Sequence, residues 1–370
     1  QGGGNTQGIG RVFRNALAAN ASVAVLLTAV MYTVYCFVDK LGQPEELLPH
    51  IRPYFVLQLI SLLFIMLFNG FRQFAEGLTD TRTPMWILLG GNALNIFGNY
   101  LLIYGSFGFP EWGLFGAGVS TLVSRIVMLL VFIGVVAVAR RYKVYREAIL
   151  RSRFNRNDFM QLNALGWPIA LQMGMETAAF SLSAIMVGWL GSIPLAAHQI
   201  MISVSTIGFM VYYGMGAALA VRVSHFMGQK DFPNLRRAVN SGMGIILSLA
   251  IVASLFFYLA RTPIIYSFTE DHEVMVVVSS LIFSLIVYQF GDALQITFAN
   301  ALRGTTDVKP MMWIAFFSYF IVALPVGYLC GFTWGGGVVG VWVAFPAGLF
   351  TAGFLFWLRF RYRLQQLMKK

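Results

Sequence analysis

Two carboxylates stand where hydrocarbon is expected. Glu176 lies ten residues into the apolar run that opens at Gly166, and Asp292 lies eleven residues before Arg303 in another such run. At about 1.5 Å rise per helical residue, both acids fall about 15 Å from the same membrane face, near the middle of a roughly 30 Å hydrocarbon layer. Gln172, Glu176 and Ser183 share one helical face, and Tyr288, Asp292 and Gln295 share a face of the other helix, so oxygen donors converge from both. Two acids with a phenol and amide oxygens are the ligand set of a hard monovalent cation, with Glu176 and Asp292 as metal ligands if that cation is Na⁺. They suit equally a proton shared between acids whose like charges resist joint ionisation. A structural contact, one acid held protonated between helices, uses the same residue types. Ionisable groups at this depth are costly and mark function by default.

Other polar groups share that depth. Asn92, Asn95 and Asn99 repeat at i, i+3 and i+7, and Arg125 lies mid-segment, where it needs an anionic partner or water. Gln172, Gln295, Arg125 and Asn92 are candidates to line a cavity. His198, near the outer end of its segment, reads as an interfacial hydrogen-bonding residue. Cys36 and Cys330 lack metal-ligand spacing and read as packing residues. The four histidines are scattered, and the glycines Gly335 to Gly337 form a tight outer loop without the context of a phosphate cradle. No enzyme chemistry and no cofactor are therefore expected, and an ion gradient remains as the energy source.

The elements that must position these residues are membrane helices. With 58% hydrophobic and 11% charged residues and a mean hydropathy of +0.71, the chain lies outside the composition of soluble domains. Its net charge of +11 does not indicate nucleic acid, because the cations fall between apolar segments of spanning length. Ten such segments are expected, near 12–36, 54–72, 84–104, 114–139, 166–190, 195–222, 238–260, 274–302, 311–331 and 338–358. Threading them alternately places 22 of the 26 Lys and Arg on one side and gathers Asp39, Glu45, Glu46, Glu111, Glu270, Asp271 and Glu273 on the other. The positive-inside rule makes the basic side cytoplasmic and puts both chain ends, Gln1 and Lys370, there.

The chain also repeats. Pro84 and Met85 recur as Pro310 and Met311, Trp86 as Trp313, Gly113 and Gly116 as Gly337 and Gly340, and Arg11 as Arg237, at offsets of 224 to 227 residues. The fold expected is an all-α integral membrane protein, a polytopic helical bundle of two parallel repeats. Residues 1–140 form a first lobe of four helices, 141–162 a solvated basic linker, and 163–370 a second lobe of six. The second copy has two helices before its Arg237 landmark, so two further helices are expected ahead of the first.

These residues resemble a known family. Gly166, Trp167 and Pro168 followed by Glu176, the run Leu195 to Ile200, Gly216 to Ala218 with Val221 to Val223, and Asp292 followed by Ala301 to Gly304 are similar to multidrug and toxic compound extrusion (MATE) transporters of the NorM-like branch. The stretch Asn95 to Tyr100 with Gly113, Gly116 and Ala117 resembles the same family's first lobe. The resemblance implies a secondary antiporter of two six-helix bundles, exporting cationic, amphipathic compounds against Na⁺ or H⁺. It implies that Glu176, Tyr288 and Asp292 form the coupling-cation site, and that Asn95 and Asn99 surround an N-lobe acid carried on a helix absent from this sequence. A monomer in the inner or plasma membrane, with lipid and small molecules as partners, is expected. The alternative is a flippase for a lipid-linked saccharide of the same superfamily.

Overall fold

The computed structural model describes residues 6–37, 48–108 and 110–369. The loop charges Asp39, Lys40, Glu45 and Glu46, and the chain ends Gln1 and Lys370, lie outside them. The described residues are helical, without strands, and ten helices are long and apolar enough to cross a membrane. The chain divides between Asn163 and Ala164 into two compact units.

In the first unit, α1 (Thr6–Cys36), α2 (Leu48–Gly77), α3 (Arg82–Tyr104) and α4 (Gly113–Val138) pack around Phe68, Met128, Leu129 and Phe132. The helices begin or end beyond the expected segments because polar residues continue the same hydrogen-bonded turns past the apolar stretch. The basic stretch 141–162 differs from expectation. It is docked, not a free solvated link: α5 (Lys143–Arg151) runs against α1 so closely that a Cβ on Gly10 would lie 2.6 Å from the Ala148 carbonyl carbon. Arg11 pairs with Asp158 at 2.6 Å, and the Asn155 N–H donates to Asn15 Oδ1 at 3.1 Å.

The second unit contains most of α6 (Arg156–Gly188), then α7 (Ser192–Gln229), α8 (Phe232–Leu259), the short α9 (Arg261–Phe268) and α10 (His272–Gly304). A last pair follows. One helix starts as α11 (Lys309–Phe316), continues through π-helical turns on either side of α12 (Leu324–Tyr328), and ends at Thr333. The other is α13 (Gly337–Trp342) with α14 (Ala344–Met368), interrupted at Val343 just before Pro346, which has no N–H to donate. α10 is the central strut, packed on α7, α14 and α8. Leu281, Leu285 and Tyr288 join one apolar cluster and Phe298, Ala301 and Leu302 another. Gln289, Asp292 and Gln295 occupy the stretch between.

The repeat is visible in backbone detail. Gly113 and Gly337 both take positive φ, 51° and 54°. A Cβ on Gly116 would collide with the Leu102 carbonyl, and one on Gly340 with the Cys330 carbonyl. Thr79 and Thr306, 227 apart, both adopt the left-handed conformation, at φ 65° and 59°, which is uncommon for a β-branched residue. The next residue closes the same turn in each copy, Asp80 N–H to the Ala75 carbonyl at 2.9 Å and Asp307 N–H to the Leu302 carbonyl at 3.1 Å.

Candidate functional site

Glu176 is held by side chains from two helices. Its Oε2 accepts from Gln172 Nε2, one turn earlier on α6, at 3.1 Å and from Gln295 Nε2 on α10 at 3.1 Å. Gln295 Nε2 also lies 3.3 Å from the Tyr319 hydroxyl, which projects from a π-helical turn, a local widening frequent at functional sites. Arg303 Nη2 donates to Gln172 Oε1 at 2.7 Å. The sequence marks the two glutamines by helical spacing; nothing in it marks Tyr319, and Arg303 reads there as a topology marker only.

Gln172, Glu176, Gln295 and Arg303, but not Tyr319, line a cavity of about 290 Å³ whose polar lining also includes Tyr288 and Asn300, with Phe180 and Phe209 among its apolar walls. Tyr288 is 5% exposed, reached by Ser205 of α7, and meets the Phe180 ring edge-on at 6.3 Å. Asp292, one turn further along α10, is 1% exposed and is not part of the cavity lining. Neither of its carboxylate oxygens has a hydrogen-bond partner among the described residues, although Glu176 and the Tyr288 and Tyr212 phenols lie within electrostatic reach. The structure thus gathers Gln172, Glu176, Tyr288 and Gln295 around one space and sets Asp292 just behind it.

The first-unit residues go elsewhere. Asn95 Nδ2 donates to Ser120 and Thr121 of α4, both at 3.3 Å, and so joins α3 to α4, while Asn99 donates to Asn95 Oδ1 at 3.3 Å along α3 itself. Asn92 is exposed. The Arg125 guanidinium donates to Ser61 and, at 3.3 Å, to Gln58, neutral oxygens of α2 where an anion or water is expected. His198, six residues from the start of α7, is 1% exposed and accepts from Trp342 Nε1 at 3.1 Å. Cys36 and Cys330 are both free.

The MatE family profile matches residues 1–101 and 168–329. Among curated proteins, a probable multidrug resistance protein NorM of Photorhabdus laumondii is 28% identical over 368 residues, 98% of this chain and 81% of that one. Multidrug resistance protein PmpM of Pseudomonas aeruginosa is 34% identical, with 97% and 76% covered. Among solved structures, the eukaryotic MATE transporter AtDTX14 superposes with a TM-score of 0.85 at 17% identity, over 100% of this chain and 82% of that one. An outward-facing MATE family transporter gives 0.85 at 19% identity, with 99% and 85% covered. The paired turns, the ten spanning helices and these matches lead to one assignment: the chain belongs to the MatE family of multi-pass membrane transporters.

Proposed function

We propose that the protein is a multidrug exporter of the plasma membrane that moves cationic, amphipathic compounds outward in exchange for Na⁺ or H⁺ by alternating access. The observation that carries this reading is the pair of acids within electrostatic reach of each other, Glu176 on a cavity wall and Asp292 outside its lining with both oxygens unpartnered among the described residues. In this reading Glu176 and Asp292 supply the charge that attracts the coupling ion and Tyr288 supplies a phenolic oxygen. The Gln295 amide donates to Glu176 as it stands; turned by half a rotation it would offer its carbonyl oxygen to a cation instead. Phe180, Phe209 and Tyr213 line the cavity and provide ring faces for an organic cation. Asn95 and Asn99 are the amides of a second site in the first lobe, for a proton, a cation or the substrate. Both chain ends are taken as cytoplasmic and the protein as a monomer that uses no organic cofactor. A carrier of lipid-linked saccharide would need clustered cations for its pyrophosphate, and among the described residues this cavity offers one arginine, Arg303, beside an acid.

A ligand drives alternating access only to the extent that it binds the two states differently. The test is substrate efflux from vesicles, driven in turn by a Na⁺ gradient and a pH gradient, for the parent and Asp292→Asn. The amide is nearly isosteric and can still hydrogen-bond, so expression and thermal stability should hold while gradient-driven efflux collapses. Parental efflux from the Asn variant would remove Asp292 from the coupling site.

A further inference from the structure

α7 and α10 run side by side, and their contacts form a ladder. Ser205 reaches Tyr288, Gly208 lies under Gln289, Tyr212 lies within electrostatic reach of Asp292, and Gly216 lies under Ile296 and Asn300. A Cβ on Gly208 would lie 2.6 Å from Gln289 Oε1, so the missing side chain is what lets the Gln289 amide enter the seam. That amide does not bond anything once inside. Gln289 is 0% exposed and neither amide atom has a partner among the described residues; Tyr212 is 0% exposed and its hydroxyl has none either. With the two oxygens of Asp292, five polar atoms on three neighbouring turns stand unpartnered. The surroundings are apolar: Tyr212 packs with Ile246, Ala250, Ala293 and Ile296, and Phe209 and Phe290 close over them.

Unpaired buried polar atoms are costly, and natural interiors rarely keep several together without a ligand to satisfy them. We propose that Tyr212, Gln289 and Asp292 form an inner seat for a dehydrated monovalent cation on the α7 side of α10, distinct from the cavity that contains Glu176. The inference rests on the reading of Asp292 as a cation-coupling residue. It adds that Asp292 serves two faces of α10. A cation entering beside Glu176 exchanges its water for the carboxylate of Asp292, the carbonyl of Gln289 and the phenol of Tyr212. One carboxylate and two neutral oxygens fit a hard ion with little preference for nitrogen or sulfur. They also fix the size of the seat, so Gln289 and Tyr212 are assigned as determinants of cation selectivity.

The purified protein is unfolded by heat in NaCl and in choline chloride of equal ionic strength, as the parent and as Gln289→Leu, Tyr212→Phe, Glu176→Gln and Asp292→Asn. Na⁺ should raise the Tm of the parent in a saturable way. Gln289→Leu should raise or leave unchanged the Tm in choline, since an unsatisfied amide has been removed, and should increase the half-saturating Na⁺ concentration at least tenfold. Tyr212→Phe should weaken the Na⁺ response in the same direction, and it carries the test if the leucine variant does not fold. If both variants keep the parental Na⁺ midpoint while Asp292→Asn loses the response, the inner seat is refuted and the coupling role of Asp292 stands. If Asp292→Asn also responds as the parent does, both readings fall. A parent without any Na⁺-dependent stabilisation also overturns the seat, and efflux driven by a pH gradient then decides the coupling reading separately.

Discussion

Gln295 on α10 donates its side-chain amide to Glu176 Oε2 on α6 at 3.1 Å, and Gln172 donates to the same oxygen at the same distance. The Glu176 carboxyl is thereby held by neutral amides and not by a paired cation. Arg303, the nearest positive group in this network, is spent on Gln172 Oε1. A carboxylate held this way is positioned and still available to an incoming ion.

Gln295→Leu removes donors to both Glu176 and Tyr319. Leaving a half-buried acceptor short of a donor costs about 1–3 kcal/mol, so the variant should unfold at lower temperature. The Glu176→Leu/Gln295→Leu double variant should recover part of that loss, because no carboxyl remains to be underpaired. Purely additive losses in the double-mutant cycle would mean that the contact contributes nothing.

Arg125 and Gln58 make a contrasting pair in the first unit. The guanidinium sits between α2 and α4 with neutral partners, so Arg125→Leu removes a partly desolvated charge and should be neutral or stabilising. Gln58→Leu leaves that charge with fewer acceptors and should cost about 1–3 kcal/mol. Chemical unfolding of the two variants measures the difference, and a greater loss for Arg125→Leu would reverse the account.

Much of this architecture is legible in the sequence because a bilayer permits few solutions. Apolar length and cation placement specify the spanning helices, and the recurrence of Gly113 and Gly116 as Gly337 and Gly340 reports backbone requirements that side chains cannot meet: positive φ at the first and close approach to a carbonyl at the second. Helical spacing likewise brings Gln172 together with Glu176, and Tyr288 with Gln295. The rest depends on packing between helices distant in sequence. Arg125 finds oxygens 64 and 67 residues away, and a residue count offers no means of pairing it with Ser61. Gln289 is one residue from Tyr288 but faces α7 instead of α6, and only the seating against Gly208 reveals the difference. The docking of 141–162 on α1 is equally hidden, since a run of basic residues looks the same whether it is solvated or packed.

The paired glycines yield a graded prediction. Gly116→Ala and Gly340→Ala drive a methyl group into backbone carbonyls that cannot rotate away, and overpacking of this kind costs about 1–3 kcal/mol. Gly90, within α3 and with nothing within 4 Å of an added Cβ, should behave oppositely: Gly90→Ala should stabilise by about 0.5–1 kcal/mol through helix propensity. Equal effects at all three positions in thermal unfolding would show that the close contacts are not limiting.

Asp80 gives a pH-dependent prediction in the turn between α2 and α3. Its carboxylate is 2% exposed, accepts from Tyr142 at 2.5 Å and from the Thr83 N–H at 3.2 Å, and pairs with Arg141 at 2.9 Å. Burial alone would raise its pKa, but Thr83, Tyr142 and Arg141 together outweigh that effect and hold it below the ordinary aspartate value. Because the folded value is the lower one, the unfolded chain takes up the proton first as pH falls. The stabilisation is therefore complete above the ordinary aspartate range and is lost as pH falls through that range towards the folded value. Asp80→Asn should lower stability at neutral pH by about 1–3 kcal/mol, and its deficit relative to the parent should shrink steadily on acidification below about pH 4. Unfolding followed at neutral pH and at successively lower pH measures that gap. A gap that stays constant or widens towards acid would mean that Asp80 is not held ionised by these neighbours, and that the turn depends on its shape and not on its charge.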